Sequence, residues 1–102
     1  MAVQLDFPTF NKYEKTTFVI PFADGTITLD LIEVTEKSSK HTEGFSLLFR
    51  SNSSIVLQQR LYTITHDEMG ELQLFLVPVG REQDQTLYES VFNRLRPADS
   101  GT

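Results

Sequence analysis

Leu61 to Gly80 reads Leu-Tyr-Thr-Ile-Thr-His-Asp-Glu-Met-Gly-Glu-Leu-Gln-Leu-Phe-Leu-Val-Pro-Val-Gly. Two runs of β-branched, aromatic and aliphatic residues flank a polar turn that ends in Gly70, which is the pattern of a β-hairpin. In the second run Leu72, Leu74 and Leu76 share one face, and Phe75 and Val77 share the other. Pro78 has no amide hydrogen, so it belongs near the strand end or on an edge.

Working outward, the same grammar recurs. Phe45-Ser46-Leu47-Leu48-Phe49-Arg50 reads as a strand with Phe45, Leu47 and Phe49 inward, followed by a Ser51–Ser54 turn. A further strand begins near Leu57 and runs to His66, with Tyr62 and Ile64 on one face. Thr16 to Ile20 is a strand ended by Pro21, and Ala23-Asp24-Gly25 a turn tolerant of positive φ. From Thr26 to Val34 the alternation puts Ile27, Leu29 and Leu31 on one face; Ile32 and Val34 then switch parity, which calls for a bulge or for cover on both faces. Thr35 to Gly44 and Gly80 to Gln85 are polar and read as surface loops. Thr86 to Leu95 is apolar again. At the start, Asp6 can cap a short helical turn with Pro8 in its first turn, turning Phe7, Phe10 and Tyr13 inward.

The sum is a mainly β chain: a small antiparallel barrel or sandwich of about six strands with a short N-terminal helical turn. Its 102 residues make one β domain over 1–95, with 96–102 as a flexible tail. Such a chain buries one modest core and no more.

Composition narrows the function classes. No cysteine is present, which removes disulfides, thiolate chemistry and the usual structural zinc sites. A net charge of -5 opposes nucleic acid and anionic membrane surfaces as partners. The first residues carry neither a signal peptide nor an apolar span. The expected setting is the cytoplasm, or a particle assembled there.

The chemistry-bearing residues are sparse. His66-Asp67-Glu68 places an imidazole beside carboxylates, as a general base or half a metal site would. Neighbours on a strand point to opposite faces, however, and the plain reading is a strand end beside a solvated turn. Glu89 is either a buried carboxylate with a raised pKa or the cross-strand partner of Arg50 or Arg60, and ion pairing is the preferred reading. No nucleophile elbow, phosphate loop or calcium loop is present. Catalytic, metal and cofactor-binding residues are therefore expected to be none, and the chain is read as not an enzyme.

From Phe45 to Arg50 onward the chain resembles a family of small bacterial domains with no assigned function. The likeness runs through Leu61-Tyr62, Ile64, His66 and Gly70-Glu71-Leu72. It is most specific at Leu74–Gly80, Tyr88-Glu89 and Val91-Phe92-Asn93, and it extends more loosely to Phe10, Phe18, Leu29, Leu31, Glu33 and Val34. The chain departs from the family where Ser51-Asn52 replaces Gly-Pro, at Gln58 and Arg60, and at Lys15, where members carry glycine. The resemblance implies no catalytic residues. It does imply a neighbourhood of phage-tail-like collar or fibre proteins, and hence a structural or assembly role.

The expected function is a non-enzymatic structural, binding or assembly module acting through protein–protein contacts, with a protein partner and with homo-oligomerisation also open. Phe75, Val77, Pro78, Val79 and Tyr88 form the candidate partner surface, because the strand that holds the first four is apolar on both faces. Either the N-terminal segment covers the second face or a partner does. A small-ligand barrel with an aromatic-lined mouth is the alternative, and a minor enzyme using His66 and Glu89 stands behind it.

Overall fold

A computed structural model describes residues 6–53 and 55–95. One helix, α1 (Phe7–Lys12), precedes six strands: β1 (Thr17–Phe22), β2 (Gly25–Glu36), β3 (Thr42–Ser51), β4 (Arg60–His66), β5 (Gly70–Glu82) and β6 (Gln85–Leu95). All neighbours are antiparallel, and the sheet closes into a barrel in the order β1-β2-β3-β6-β5-β4. The barrel, one of the two architectures the sequence allows, is the one adopted. The expected tail at 96–102 lies outside the described residues.

The strand order reads as two three-strand meanders, β1-β2-β3 and β4-β5-β6, each joined to the other at both ends. The halves match in detail. Gly25 and Gly70 open β2 and β5, both at positive φ. Each middle strand pairs first with its predecessor and then bends across to its successor through a register shift, at Leu31/Glu33 in β2 and Pro78/Gly80 in β5. The parity switch in β2 is thus a bulge. The same device in β5 lets Pro78 sit inside a strand, because a ladder is interrupted at a bulge. Pro21 likewise does not end β1; it pairs with Thr26 beside the hairpin turn.

Both polar loops are shorter than their composition implies. Thr35 and Glu36 pair with Ser46 and Phe45, so the first loop shrinks to 37–41. The second collapses to Gln83-Asp84, at φ 50° and 71°, the backbone of a two-residue hairpin turn with both central residues left-handed. Exposed strand residues on the outer wall are free to be polar, which is why hydrophilicity misleads here. The strand expected from Leu57 begins later, at Arg60, and among the described residues 52–53 and 55–59 form the connector from the end of β3 to the start of β4.

The interior is filled. Phe18, Leu29, Leu31, Leu47, Phe49, Leu76 and Tyr88 have no exposed surface, and Ile20, Ile27, Ile64, Leu72 and Leu74 join them. Phe18 meets Phe49 edge-on at 5.5 Å, a favoured aromatic geometry. Among the described residues the connector is tied down by Tyr88, whose hydroxyl accepts from the Leu57 amide at 2.7 Å, and by Asn52, whose amide donates to the Thr28 carbonyl at 3.0 Å. At the opposite end α1 acts as a plug. Asp6 caps it by accepting from the Thr9 amide at 3.0 Å, and Phe10 packs on Phe45 and Phe92, which themselves stack at 4.6 Å.

Lys15, between α1 and β1, sits at φ 71°, a left-handed conformation that costs a side-chain-bearing residue about 1–2 kcal/mol. Its amide is committed there, donating to the Leu31 carbonyl at 2.6 Å. Glycine relieves the strain but loses more chain entropy on folding. Lys15→Gly is therefore expected to raise stability by about 0.5–1 kcal/mol, read as a higher urea midpoint at constant slope. A lower midpoint would show that the lysine stem contributes more packing than the strain costs.

Candidate functional site

His66 ends β4 with its ring turned into the barrel, 8% exposed. Its Nδ1 accepts from the Glu68 amide at 3.0 Å and from the Met69 amide at 3.2 Å. That fixes the proton on Nε2, which donates to Thr16 Oγ1 at 3.0 Å; the Thr16 hydroxyl passes its own proton to the Tyr13 carbonyl at 2.6 Å. The tautomer follows from the network rather than from a visible hydrogen. The ring also lies 4.8 Å from Tyr13 and 4.4 Å from Phe18. Both nitrogens are thus spent on holding the β4–β5 turn and the end of α1. Asp67 and Glu68 are exposed.

Glu89 stands elsewhere. Tyr88 and Ser90 on either side of it are buried, so alternation places Glu89 on the outer wall, in register with Leu48 and Val77. His66 and Glu89 therefore occupy opposite sides of the wall, and the structure does not bring them together. The expected ion pairs of Glu89 also differ. Arg50 Nη1 lies 3.5 Å from Glu82 Oε1, and Arg60 lies over the Tyr62 ring at 5.8 Å.

The candidate partner surface divides. Phe75 and Val79 are exposed at 45% and 50%, Val77 and Pro78 are half-buried, and Tyr88 has no exposed surface. Tyr88 is the correction: its position on β6 points inward, and its hydroxyl is spent on Leu57. It belongs to the core. Phe75 faces outward because Leu74 and Leu76 take the inward positions, and across the ladder it meets Leu61, itself 54% exposed. Val91, on the outer face of β6, is 57% exposed. Leu61 and Val91 went unmarked in the sequence. Alternation in their strands could have found them, since each lies one residue from an inward position. The question of cover is settled for the inward face by the barrel itself, and α1 plugs the barrel end rather than covering the outer wall.

Shallow clefts lie on the surface among the described residues. One of about 250 Å³ is lined by Pro8, Thr9, Lys12, Tyr13, Glu68 and Met69. Another of about 540 Å³ runs past Lys15, Asp30, Leu31, Ile32 and Arg50. Among the described residues no group of three or more His, Asp and Glu side chains could hold a metal ion. Also among them, no helix is long and apolar enough to cross a membrane.

Two polar groups stand apart. Burial pushes the Tyr62 phenol above its usual value; the Arg60 charge pulls it down and Tyr88 adds to the rise. Its hydroxyl donates to the Gln58 carbonyl at 2.7 Å. A raised folded-state value adds stability that is complete below the unfolded phenol's value of about 10 and is lost as pH climbs through the folded one. The urea midpoint is expected to fall more steeply in alkali for the native chain than for Tyr62→Phe. Equal slopes would rule this out.

Thr86, 1% exposed, buries an Oγ1 with no hydrogen-bond partner among the described residues. An unsatisfied buried hydroxyl costs about 1–3 kcal/mol. Thr86→Val keeps the shape, removes the orphan, and should gain about 1 kcal/mol in chemical denaturation. A loss of stability would mean that the hydroxyl has a partner, such as an ordered water.

No curated protein and no solved structure matches this chain. A family model does match, over residues 5–92, a span that takes in α1, the connector and all of the barrel up to Phe92. The chain belongs to the family described as domain of unknown function (DUF6916).

Proposed function

We propose that this domain is a non-enzymatic assembly module that binds another protein through the outer wall of β4, β5 and β6. The observation that carries the reading is the cross-strand apolar pair on the outer wall. Leu61 and Phe75 face each other across the β4–β5 ladder, with Val79 at the β5 bulge and Val91 on β6, all about half exposed or more. Phe22, Ile55 and Val56 are exposed elsewhere, but they do not form a paired cross-strand set, and large side chains of this kind gain most when a partner removes them from water. The interior, by contrast, is spent on packing, and the aromatics that would line a ligand-binding mouth are stacked on one another and on Phe10. The setting proposed for this contact is a phage-tail-like assembly, with a collar or fibre protein as the partner.

The experiment is affinity capture from the native host with the native chain and with Leu61→Asp/Phe75→Asp, after circular dichroism shows the variant folded. A stoichiometric collar or fibre protein held by the native chain and lost by the variant is the expected result. A strict monomer by light scattering that retains no protein overturns the reading.

A further inference from the structure

The connector between β3 and β4 is composed like a strand and is not one. Ile55-Val56-Leu57 is a β-branched and aliphatic run of the kind that favours a ladder, yet residues 55–58 belong to no strand. Their backbone bonds go to side chains instead. The Ile55 amide donates to Ser53 Oγ at 3.0 Å, the Leu57 amide donates to the Tyr88 hydroxyl at 2.7 Å, and the Gln58 carbonyl accepts from the Tyr62 hydroxyl at 2.7 Å. Among the described residues none bonds the amide or the carbonyl of Val56. Ile55 and Val56 are 63% and 50% exposed. A segment whose local preference contradicts its place in the fold points to a state in which the two agree.

We infer that two copies of the chain exchange halves. In the exchanged dimer β1-β2-β3 of each chain closes a barrel with β4-β5-β6 of the other, and the two connectors cross between the barrels as an antiparallel pair centred near Val56. The halves meet along the β3–β6 and β1–β4 seams and in the shared core, and the connector is the stretch of chain that links them. Every contact across the seams is remade between copies, including Phe10 on Phe92 at 5.7 Å and Thr16 on His66 at 3.0 Å. The dimer therefore needs no large new interface to match two monomers in stability. What it adds is the ladder at the crossing, where Val56 finds backbone partners and Ile55 and Val56 are covered. With only those two side chains of each copy to hide, contact between two closed barrels would fall short of the roughly 1,200 Å² that a stable interface buries. The net charge of -5 does not oppose the crossing, because Ser51 to Gln59 carries no charged residue. Of the arginines that flank it, Arg50 lies beside Glu82 and Arg60 over the Tyr62 ring. The exchange leaves the outer wall of β4, β5 and β6 as it is and does not rest on the protein-binding reading above.

The test refolds the full chain from urea at about 5 μM and at about 500 μM, far below and near the millimolar effective concentration that a short connector gives its own halves. Light scattering should find a dimer whose share is at least about fivefold larger at the higher concentration. Ile55→Asp/Val56→Asp sets carboxylates of both copies against each other at the crossing and should cut that share at least about tenfold. The urea midpoint of the variant's monomer should stay unchanged, because both side chains are exposed. The chain has no cysteine, so an introduced pair reports which copy closes each barrel. Leu48→Cys/Glu89→Cys does so across the β3–β6 seam, where the two positions are ladder partners within disulfide reach. Oxidised after refolding, the dimer should stay covalent in denaturing, non-reducing electrophoresis, and Val19→Cys/Thr65→Cys across the other seam should give the same answer. Three results overturn the exchange: an oxidised dimer that separates into monomers, which is contact between closed barrels; a dimer as abundant in the aspartate variant; or a monomer at both concentrations.

Discussion

Phe10→Ala is expected to cost about 3–5 kcal/mol, a large part of the 5–15 kcal/mol that holds a domain together. Phe10 has no exposed surface and its ring lies 5.7 Å from those of both Phe45 and Phe92. Truncation removes that contact and leaves a void at the end of the barrel that the stacked pair cannot collapse to fill. A second effect compounds the first. A helix of six residues has no stability of its own in water, since nucleation is unfavourable and few bonds follow it. Phe10 is its buried anchor, so α1 is expected to leave the barrel end when the ring is gone. Urea denaturation measures the loss, and near-ultraviolet circular dichroism should show the Phe45 and Phe92 environment loosened. Phe7→Ala is the comparison: Phe7 is half-buried and meets Phe45 at 6.3 Å, so its cost should be clearly smaller. A loss below about 1 kcal/mol for Phe10→Ala would mean that the helix contributes little to the fold.

His66→Phe is expected to cost about 2–4 kcal/mol, although it keeps an aromatic ring of similar size in place. The substitution strands the Glu68 and Met69 amides, which donate to Nδ1, and takes the donor from Thr16 Oγ1. The Met69 bond is buried, so its amide cannot turn to water, and each stranded buried donor costs about 1–3 kcal/mol. The loss should be concentrated at the β4–β5 turn, where hydrogen exchange of residues 67–70 should speed up more than exchange in β3. An unchanged denaturation midpoint would show that the imidazole is not structural and would return it to the pool of reactive groups.

How far the sequence leads can be seen at particular residues. The hairpin at Leu61–Gly80, the inward leucines of β5 and the bulge foreshadowed by Ile32 and Val34 are all legible, because period-two alternation is enforced by burial on one face. The Asp6 cap and the inward Phe10 are legible from capping chemistry. What is not legible is anything decided by distant pairing. Thr35, Glu36, Gly80, Arg81 and Glu82 are polar, yet they are strand, because their partners lie across the sheet and their side chains face water. Tyr88 lies in the core rather than on the partner surface its sequence suggests, for a related reason. A tyrosine on a strand is equally suited to either face, and its burial depends on the Leu57 amide, 31 residues away in the chain. The bond from His66 to Thr16 is hidden in the same way, since the two are 50 residues apart.

The matched meanders have a consequence for the order of events in folding. Within each half, every pairing is between strands adjacent in the chain, so β1-β2-β3 and β4-β5-β6 can form by local zippering. The seams that join them, β3 to β6 and β1 to β4, link segments far apart in sequence and carry the loop-closure entropy of the fold. The two seams are unequal. The β3–β6 seam runs from Thr42↔Leu95 to Arg50↔Leu87, whereas β1 meets β4 at Val19↔Thr65 alone, supported by the Thr65 hydroxyl on the Val19 carbonyl at 3.3 Å. The barrel is in energetic terms a long sheet clasped at one short button, and the cheapest excursion from the native state is the one that undoes it.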